Sequence, residues 1–597
     1  MVYWRKEKRL QYVKTAEIRR DKVRVIDFKD ASCRHCYKCV RHCEVKAISV
    51  QDEQAHIMKD HCINCGHCLE VCPQNAKTFA SDMERVKGYL RQGDKVVISI
   101  APSYLGVLEY DKPGQIVDAL KKLGFYAVRE TAEGAALVTA EYRKLLQEGK
   151  MENIITTCCP SVNDLIEKYY PELISMMAPV VSPMIAHGRL IRSVYPDHVR
   201  VVFLGPCIAK KEEAVGDERV RGAVDAILTF EEIVKWWQEE GIRVTDCMDE
   251  AFDNPCPMVN QLYPVGGGII QSVLAGPGKP GPGEGSYYKV AVDGLTPCME
   301  LFEELKKGEI RGCFFEVNVC EGGCIKGPAS DKWSRTQVRA KMDVEKHAVK
   351  RGPAEEIHSE TVQMHKTFLD RRVWDQVPTE AQMQEVLHAM GKYTKEDELN
   401  CGACGYPSCR AKATAVFQKK AEIGMCLPNA VAQAESMSNI VMDATPSMIL
   451  IVDSQMQIRE CNRQALRLLE VSREEALERY IFEFIETDDI VQVLDTKKKI
   501  IHKKLRLEPV GMMVVESIIY IEHLDSVLVT YQDVTKEEKA KEQHYQLKME
   551  TVEMAQKVID KQMMVAQEIA GLLGETTAET KVTLSKLRDS ILFEEED

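Results

Sequence analysis

Four mainly apolar runs stand out in the first 320 residues: VVISIAP from residue 96, NIITTCCP from 153, VRVVFLGPC from 199 and GCFFEVNVC from 312. Each is short and strand-like, and each delivers a cysteine or a Pro-Ser turn at its end. Helical stretches separate them. The alternation predicts an α/β domain over 81–370 with its chemistry at the strand ends, as in open parallel sheets. A Gly/Pro-rich run, GGGIIQSVLAGPGKPGPGEGS, interrupts it and reads as an exposed excursion. After a charged, helical-looking stretch near 340–398, residues 437–535 alternate strands (SMILIVD, QIRECN, GMMVVESIIYIEH, SVLVTYQDVT) with short helices, the order of a sheet with a helical flank. From Thr535 onward the text is helical, with Tyr545, Val552, Ile559, Ala566 and Leu573 seven apart. Lys548, Ala555, Gln562 and Ile569 fill the matching positions and are only half apolar. The segment 536–597 therefore predicts a parallel coiled-coil dimer, or else a long helix packed on a partner.

Composition narrows the class. The 597 residues are 45% hydrophobic and 29% charged, which excludes disordered and collagen-like chains. A net charge of −13 repels phosphate backbones and makes nucleic acid a poor partner. The leader, residues 1–28, has positive charge but no apolar signal core, and no run of 18 apolar residues follows, so a cytoplasmic, reducing location without a membrane span is expected. There, the 22 cysteines are better read as metal ligands than as disulfides.

Their spacing supports this. Residues 29–80 carry Cys33-x2-Cys36-x2-Cys39-x3-Cys43 and then Cys62-x2-Cys65-x2-Cys68-x3-Cys72, two four-thiolate sets of the kind that bind cubane iron-sulfur clusters. A second module, 385–432, carries Cys401-x2-Cys404-x4-Cys409-x16-Cys426, which resembles small 4Fe-4S domains of electron-transport and corrinoid-protein complexes. Zinc bound by four thiolates is the other reading of all three sets. The repeated run resembles two-cluster ferredoxins, in which the fourth cysteine of each run serves the other cluster; that implies the sets Cys33, Cys36, Cys39, Cys72 and Cys62, Cys65, Cys68, Cys43. Glu44 replaces the proline that follows the fourth cysteine in such runs.

Three further signatures, Thr156-Thr157-Cys158-Cys159-Pro160, Gly205-Pro206-Cys207 with Lys210 and Glu213, and Glu316-x-Asn318-x-Cys320-x2-Gly323-Cys324, resemble those of the FeFe hydrogenases in order and spacing. The resemblance covers about residues 29–340. It implies that Cys159, Cys207, Cys320 and Cys324 bind the cubane of an H-cluster. Cys324 would also bridge to a diiron unit carrying CO, cyanide and an azadithiolate. Lys210 and Ser103, the latter in Ala101-Pro102-Ser103, would face the cyanides, and Cys158 and Ser182 would belong to the proton relay. Tyr142 aligns with a relay glutamate, and a phenol is a poor shuttle at neutral pH. Gly205 and Asn318 replace two methionines, so low turnover is expected. Cys247, Cys256, Cys298, Cys313 and Cys461 are left as small buried hydrophobes.

Residues 437–535 resemble a PAS sensor domain whose ligand the sequence leaves open; His502 and His523 read as surface residues rather than heme ligands, and His544 as a solvated helix position. The fold class expected is thus multidomain α/β and α+β: a ferredoxin-like two-cluster module, an H-cluster domain, a small 4Fe-4S domain, a PAS domain and a signalling helix. The order of modules suits a sensory FeFe hydrogenase that reacts with H2 and protons and signals through its three additional 4Fe-4S clusters and the PAS domain. Its expected partners are a separate kinase or phosphatase effector, maturation proteins for the diiron unit, a second copy of the chain, and a ferredoxin-like electron carrier. A housekeeping ferredoxin-linked hydrogenase and a non-catalytic iron-sulfur carrier or assembly protein are the alternatives.

Overall fold

The duplicated cysteine runs fold as two matching halves. β1 (Ile26–Phe28) pairs antiparallel with β4 (Lys77–Phe79), and β2 (Ile48–Gln51) with β3 (Gln54–Ile57). Each run turns into a four-residue helix, Lys38–Arg41 or His67–Glu70, through a left-handed residue, Tyr37 (φ 52) or Gly66 (φ 79). The protein is described from a computed structural model covering residues 25–28, 33–195, 197–254, 259–275, 287–330, 336–349, 362–507, 511–570, 582–583 and 585–586. It divides into two units, Met1–Leu427 and Pro428–Asp597.

The first unit is built around two parallel sheets. β5 (Val96–Ile100), β6 (Ala127–Glu130), β8 (Arg200–Gly205) and β9 (Ala226–Thr229) form one, in the order β6-β5-β8-β9. The other, β10-β11-β7, contains β7 (Ile154–Ile155), β10 (Tyr288–Asp293) and β11 (Cys313–Asn318). Every residue of β5 and of β11 is buried, which is why these strands read as continuous apolar runs. On β5, Val97 joins Phe203, Tyr142 and Phe314 in one core, while Val96, Ile98 and Ile100 join Leu105, Phe230 and Trp236 in another, so both faces of that sheet are covered.

The third cysteine module packs on the two-cluster module. Tyr406, Ala415, Ala421 and Met425 share a core with Val40, Ile48, Val50 and Ala55, bordered by Cys39, Cys43, Cys68 and Cys404. Arg41 donates to the Ala403 carbonyl at 2.9 Å and Lys46 to the Gly405 carbonyl at 3.0 Å.

Two expectations are corrected. The glycine run is not an excursion at its start: Gly268–Leu274 is a helix with Gly268, Ile269, Ser272 and Val273 buried. A side chain at Gly268 would strike the Leu262 carbonyl, so the glycine is there for close packing. Within 340–398 the described residues form helices only at Gln337–Val349 and Glu380–Ala389; residues 362–379 run as an irregular strap across the first unit. The rest of the glycine run, Cys256, Leu573 and most of 571–597 lie outside the described residues.

The second unit holds an antiparallel sheet, β13-β12-β16-β15-β14, built from β12 (Met448–Asp453), β13 (Ile458–Cys461), β14 (Ile500–Leu507), β15 (Met512–Ile521) and β16 (Ser526–Asp533), followed by the helix Thr535–Ala570. Tyr545 and Ile569 are exposed on that helix. In β15, Val514, Glu516 and Ile518 face the core, and Glu516, 2% exposed, lies opposite Tyr531. Burial, with Asp489 close by, raises its carboxyl to about 7. The folded group therefore keeps a proton that an unfolded glutamate releases near ~4.3, and stability falls as pH rises through that interval. Glu516→Gln removes the loss. Amide exchange along β15 and β16 should be nearly unchanged at pH ~4 and slower than wild type at pH ~8, by an amount corresponding to about 1–3 kcal/mol.

Candidate active site

The predicted site residues arrive on loops at the carboxyl ends of β5, β7, β8 and β11, where open parallel sheets place their ligands. After β5 comes Ser103, buried, with an Oγ that meets no hydrogen-bond partner. Beyond β7, Cys159 precedes the helix Pro160–Tyr169, whose first position is a proline that needs no N–H partner. β8 delivers Cys207 and then the helix Ala209–Val215, carrying Lys210 and Glu213. β11 leads to Cys320 and the turn Cys324–Lys326. Gly323 (φ 91) and Gly327 let these loops close up: side chains there would strike the carbonyls of Pro264 and Pro206, respectively.

The four thiols converge. Cys207 senses the charge of Cys159, Cys320 senses Cys324, Cys159 and Cys207, and Cys324 senses Cys159 and Cys207. Burial, then this mutual repulsion, pushes Cys207 up to about 11 and Cys320 and Cys324 well above the usual thiol range. Four such groups ionise together only when a polycationic centre neutralises them, so the donor set fits a metal cluster. Among the described residues no three or more His, Cys, Asp or Glu side chains are gathered closely enough to hold a single metal ion.

In the two-cluster module, Cys65 senses Cys43, Cys62 and Cys68, and Cys68 senses Cys62, Cys43 and Cys39. Cys43 thus sits with the second run. Cys33, Cys39 and Cys72 are half-buried and Cys36 is exposed. Gly66 abuts Pro328, which brings this module against the Cys324 loop. In the third module Cys426 is buried, Cys404 and Cys409 half-buried and Cys401 exposed. Lys412 is buried there near Cys404 and Cys426, and burial pulls its ammonium down to about 8.

Beside the four thiols, Lys210 donates to the Cys158 carbonyl at 3.2 Å and to Glu213 Oε2 at 2.7 Å. Burial works against its charge, but Glu213, Cys207 and Cys158 outweigh it and hold the ammonium above its ordinary range. Ser182 Oγ donates to the same carboxylate oxygen at 2.9 Å. Burial would raise Glu213, yet Lys210, Lys366 and Ser182 prevail and keep it below the usual carboxyl range. Glu213 is thus a fixed anion, poorly suited to taking up a proton.

Cys158 meets Tyr142: the phenol oxygen lies 3.2 Å from Sγ and accepts the Thr157 N–H at 2.9 Å. Burial pushes the Cys158 thiol up to about 12 and Tyr142 well above its ordinary value, so both stay protonated at neutral pH. Tyr142→Phe leaves the buried Thr157 N–H without its acceptor and should cost about 1–3 kcal/mol, read as a lower urea midpoint at unchanged slope.

Two residues were given no role by the sequence. Glu316, buried in β11, accepts the N–H groups of Gly267 and Ile270 at 2.9 Å each, and burial raises it to about 7. Its signal was an ionisable residue inside the apolar run CFFEVNV. Lys366 meets Glu213 from the strap, and nothing in its neighbourhood of sequence marks it.

Residues 94–328 match the family described as iron only hydrogenase large subunit, C-terminal domain; 25–73 match the 4Fe-4S dicluster domain, 397–428 an Fe-S cluster family and 437–559 the PAS fold. Iron hydrogenase 1 of Clostridium pasteurianum is 26% identical over 445 residues, covering 56% of this chain and 75% of that protein. Cytosolic iron-sulfur assembly component 3 of Bos taurus is 22% identical over 341 residues, covering 46% of this chain and 72% of that one. A solved structure of FeFe-hydrogenase HydA1 from Chlamydomonas reinhardtii matches at 18% identity and a TM-score of 0.40, covering 49% of this chain and 100% of that one. No helix among the described residues is long and apolar enough to cross a membrane. The chain therefore carries the C-terminal domain of the iron-only hydrogenase large subunit, preceded by a 4Fe-4S dicluster domain and followed by a PAS fold.

Proposed function

We propose that this protein is a sensory FeFe hydrogenase of low turnover, in which reaction with H2 changes the redox state of iron-sulfur clusters and so biases the PAS unit and its helix toward a separate effector. The observation that supports the enzymatic part is the meeting of Cys159, Cys207, Cys320 and Cys324 beside Lys210 and Cys158. Those four cysteines would hold the cubane of an H-cluster, with Cys324 bridging to the diiron unit. Such a group, when bound, supplies an electrophilic metal and a pendant base for splitting H2.

The chain's own part is to hold charges and protons in place. Lys210 presents an ammonium fixed by Glu213 and the Cys158 carbonyl, suited to an anionic ligand such as cyanide, and Ser103 offers a free hydrogen-bond donor. Cys158 keeps a proton on sulfur next to Tyr142. Ser182 is turned toward Glu213, and Tyr142 replaces a carboxylate, so outward proton movement meets groups that release protons poorly. Slow turnover follows, as a sensor tolerates and a production enzyme does not. For electrons, the dicluster cysteines and Cys401, Cys404, Cys409 and Cys426 would bind three further cubanes in the packed first unit. The PAS fold and the 36-residue helix after it support the signalling part. A cytoplasmic location and a homodimer belong to the same proposal.

The assay is H2-dependent dye reduction by the full chain after treatment with maturation proteins, compared with its effect on a candidate kinase or phosphatase. Slow reduction with a change in effector activity supports the sensor, and fast reduction without one a housekeeping hydrogenase. The similarity to an iron-sulfur assembly component gives a second reading, a cluster carrier, which predicts bound cubanes and no reaction with H2.

A further inference from the structure

Lys366 lies beyond the matched hydrogenase domain, which ends at residue 328, and in no motif. Its side chain is nevertheless only 3% exposed. Burying an ammonium is costly unless it is paired, and two carboxylates meet it: Asp217 at 3.0 Å and Glu213 Oε1 at 3.7 Å. The strap that carries it is held in register against the segment leading to Ser182. The Lys366 N–H donates to the Pro179 carbonyl at 3.1 Å, the Val181 N–H to the Met364 carbonyl at 2.9 Å, and Val180 bridges antiparallel to His365. Ser182 and Lys366 thus reach Glu213 from paired stretches of backbone.

We propose that Lys366 is a positioning residue for Lys210, acting through Glu213; this rests on the hydrogenase reading above. Glu213 Oε2 serves both Lys210 and Ser182, whereas Oε1 accepts no hydrogen bond. Without a cation on the Oε1 side, the carboxylate is free to rotate and present either oxygen to Lys210. Lys366 sets the orientation by charge, and Lys210 in turn stays on the Cys158 carbonyl. Asp217 does not depend on Lys366, because Arg219 donates to both of its oxygens, at 2.7 and 2.9 Å.

The test uses the full chain loaded through the maturation proteins, with infrared bands of CO and cyanide as the readout. Lys366→Met is expected to shift and broaden the cyanide bands and to slow H2 oxidation about tenfold at unchanged iron content. Lys366→Arg should restore the bands, and Asp217→Asn, a control for packing, should leave them in place. If Lys366→Met lowers soluble yield, Lys366→Gln is judged by the same criteria. Wild-type bands unmoved by loss of the charge overturn the inference alone, as does an equal shift in Asp217→Asn. A wild-type chain without such bands removes the hydrogenase reading and this inference with it.

Discussion

Replacing Cys158 with alanine should slow H2 oxidation by about 10²–10³-fold while leaving the iron content and the infrared bands of the loaded chain intact, the range expected for losing a positioned proton carrier. The thiol is held as a thiol, with burial pushing it up to about 12, and its sulfur lies 3.2 Å from the Tyr142 phenol oxygen. Its backbone carbonyl, which anchors Lys210 at 3.2 Å, survives the substitution, so the change isolates the sulfur proton from the surrounding charge geometry. Rates at saturating dye, with iron and band intensities measured on the same samples, decide the matter. A variant as fast as wild type would show that protons leave by a route avoiding Cys158.

A still larger effect is expected for Cys207→Ala, which should abolish H2 oxidation by the loaded chain and, before treatment with maturation proteins, remove about four iron atoms per chain, the content of one cubane. Cys207 is in the mutual field of Cys159, Cys320 and Cys324, and the three remaining thiols leave one corner of a cubane without a protein ligand. The dicluster and third modules have their own cysteines and should keep their iron. Iron and acid-labile sulfide assays read both outcomes; an unchanged content would show that Cys207 is not a ligand.

The strand ends were legible because burial of β5 and β11 on both faces forces continuous apolar runs, and the cysteines at their termini interrupt them with a recognisable spacing. The contact of Tyr142 with Cys158 was accessible only as a position in a register. The helix Gly268–Leu274 escaped because a run of glycines reads as a turn, whereas here the glycines permit close approach to Leu262 and leave backbone N–H groups for Glu316. The strap reads as helix in the sequence since its partners are remote: Glu167 accepts from the Leu369 N–H, and the Lys168 carbonyl from the Val373 N–H. No local pattern encodes a lysine that arrives on such a strap to complete the Lys210–Glu213 pair.

Infrared spectroscopy of the maturase-treated chain under H2, CO and inert gas is the most direct trial of the claim that these cysteines hold an H-cluster. Bands of metal-bound CO and cyanide that change on admitting H2 are the predicted result. A spectrum without them, from protein whose iron suffices only for cubanes, would contradict it.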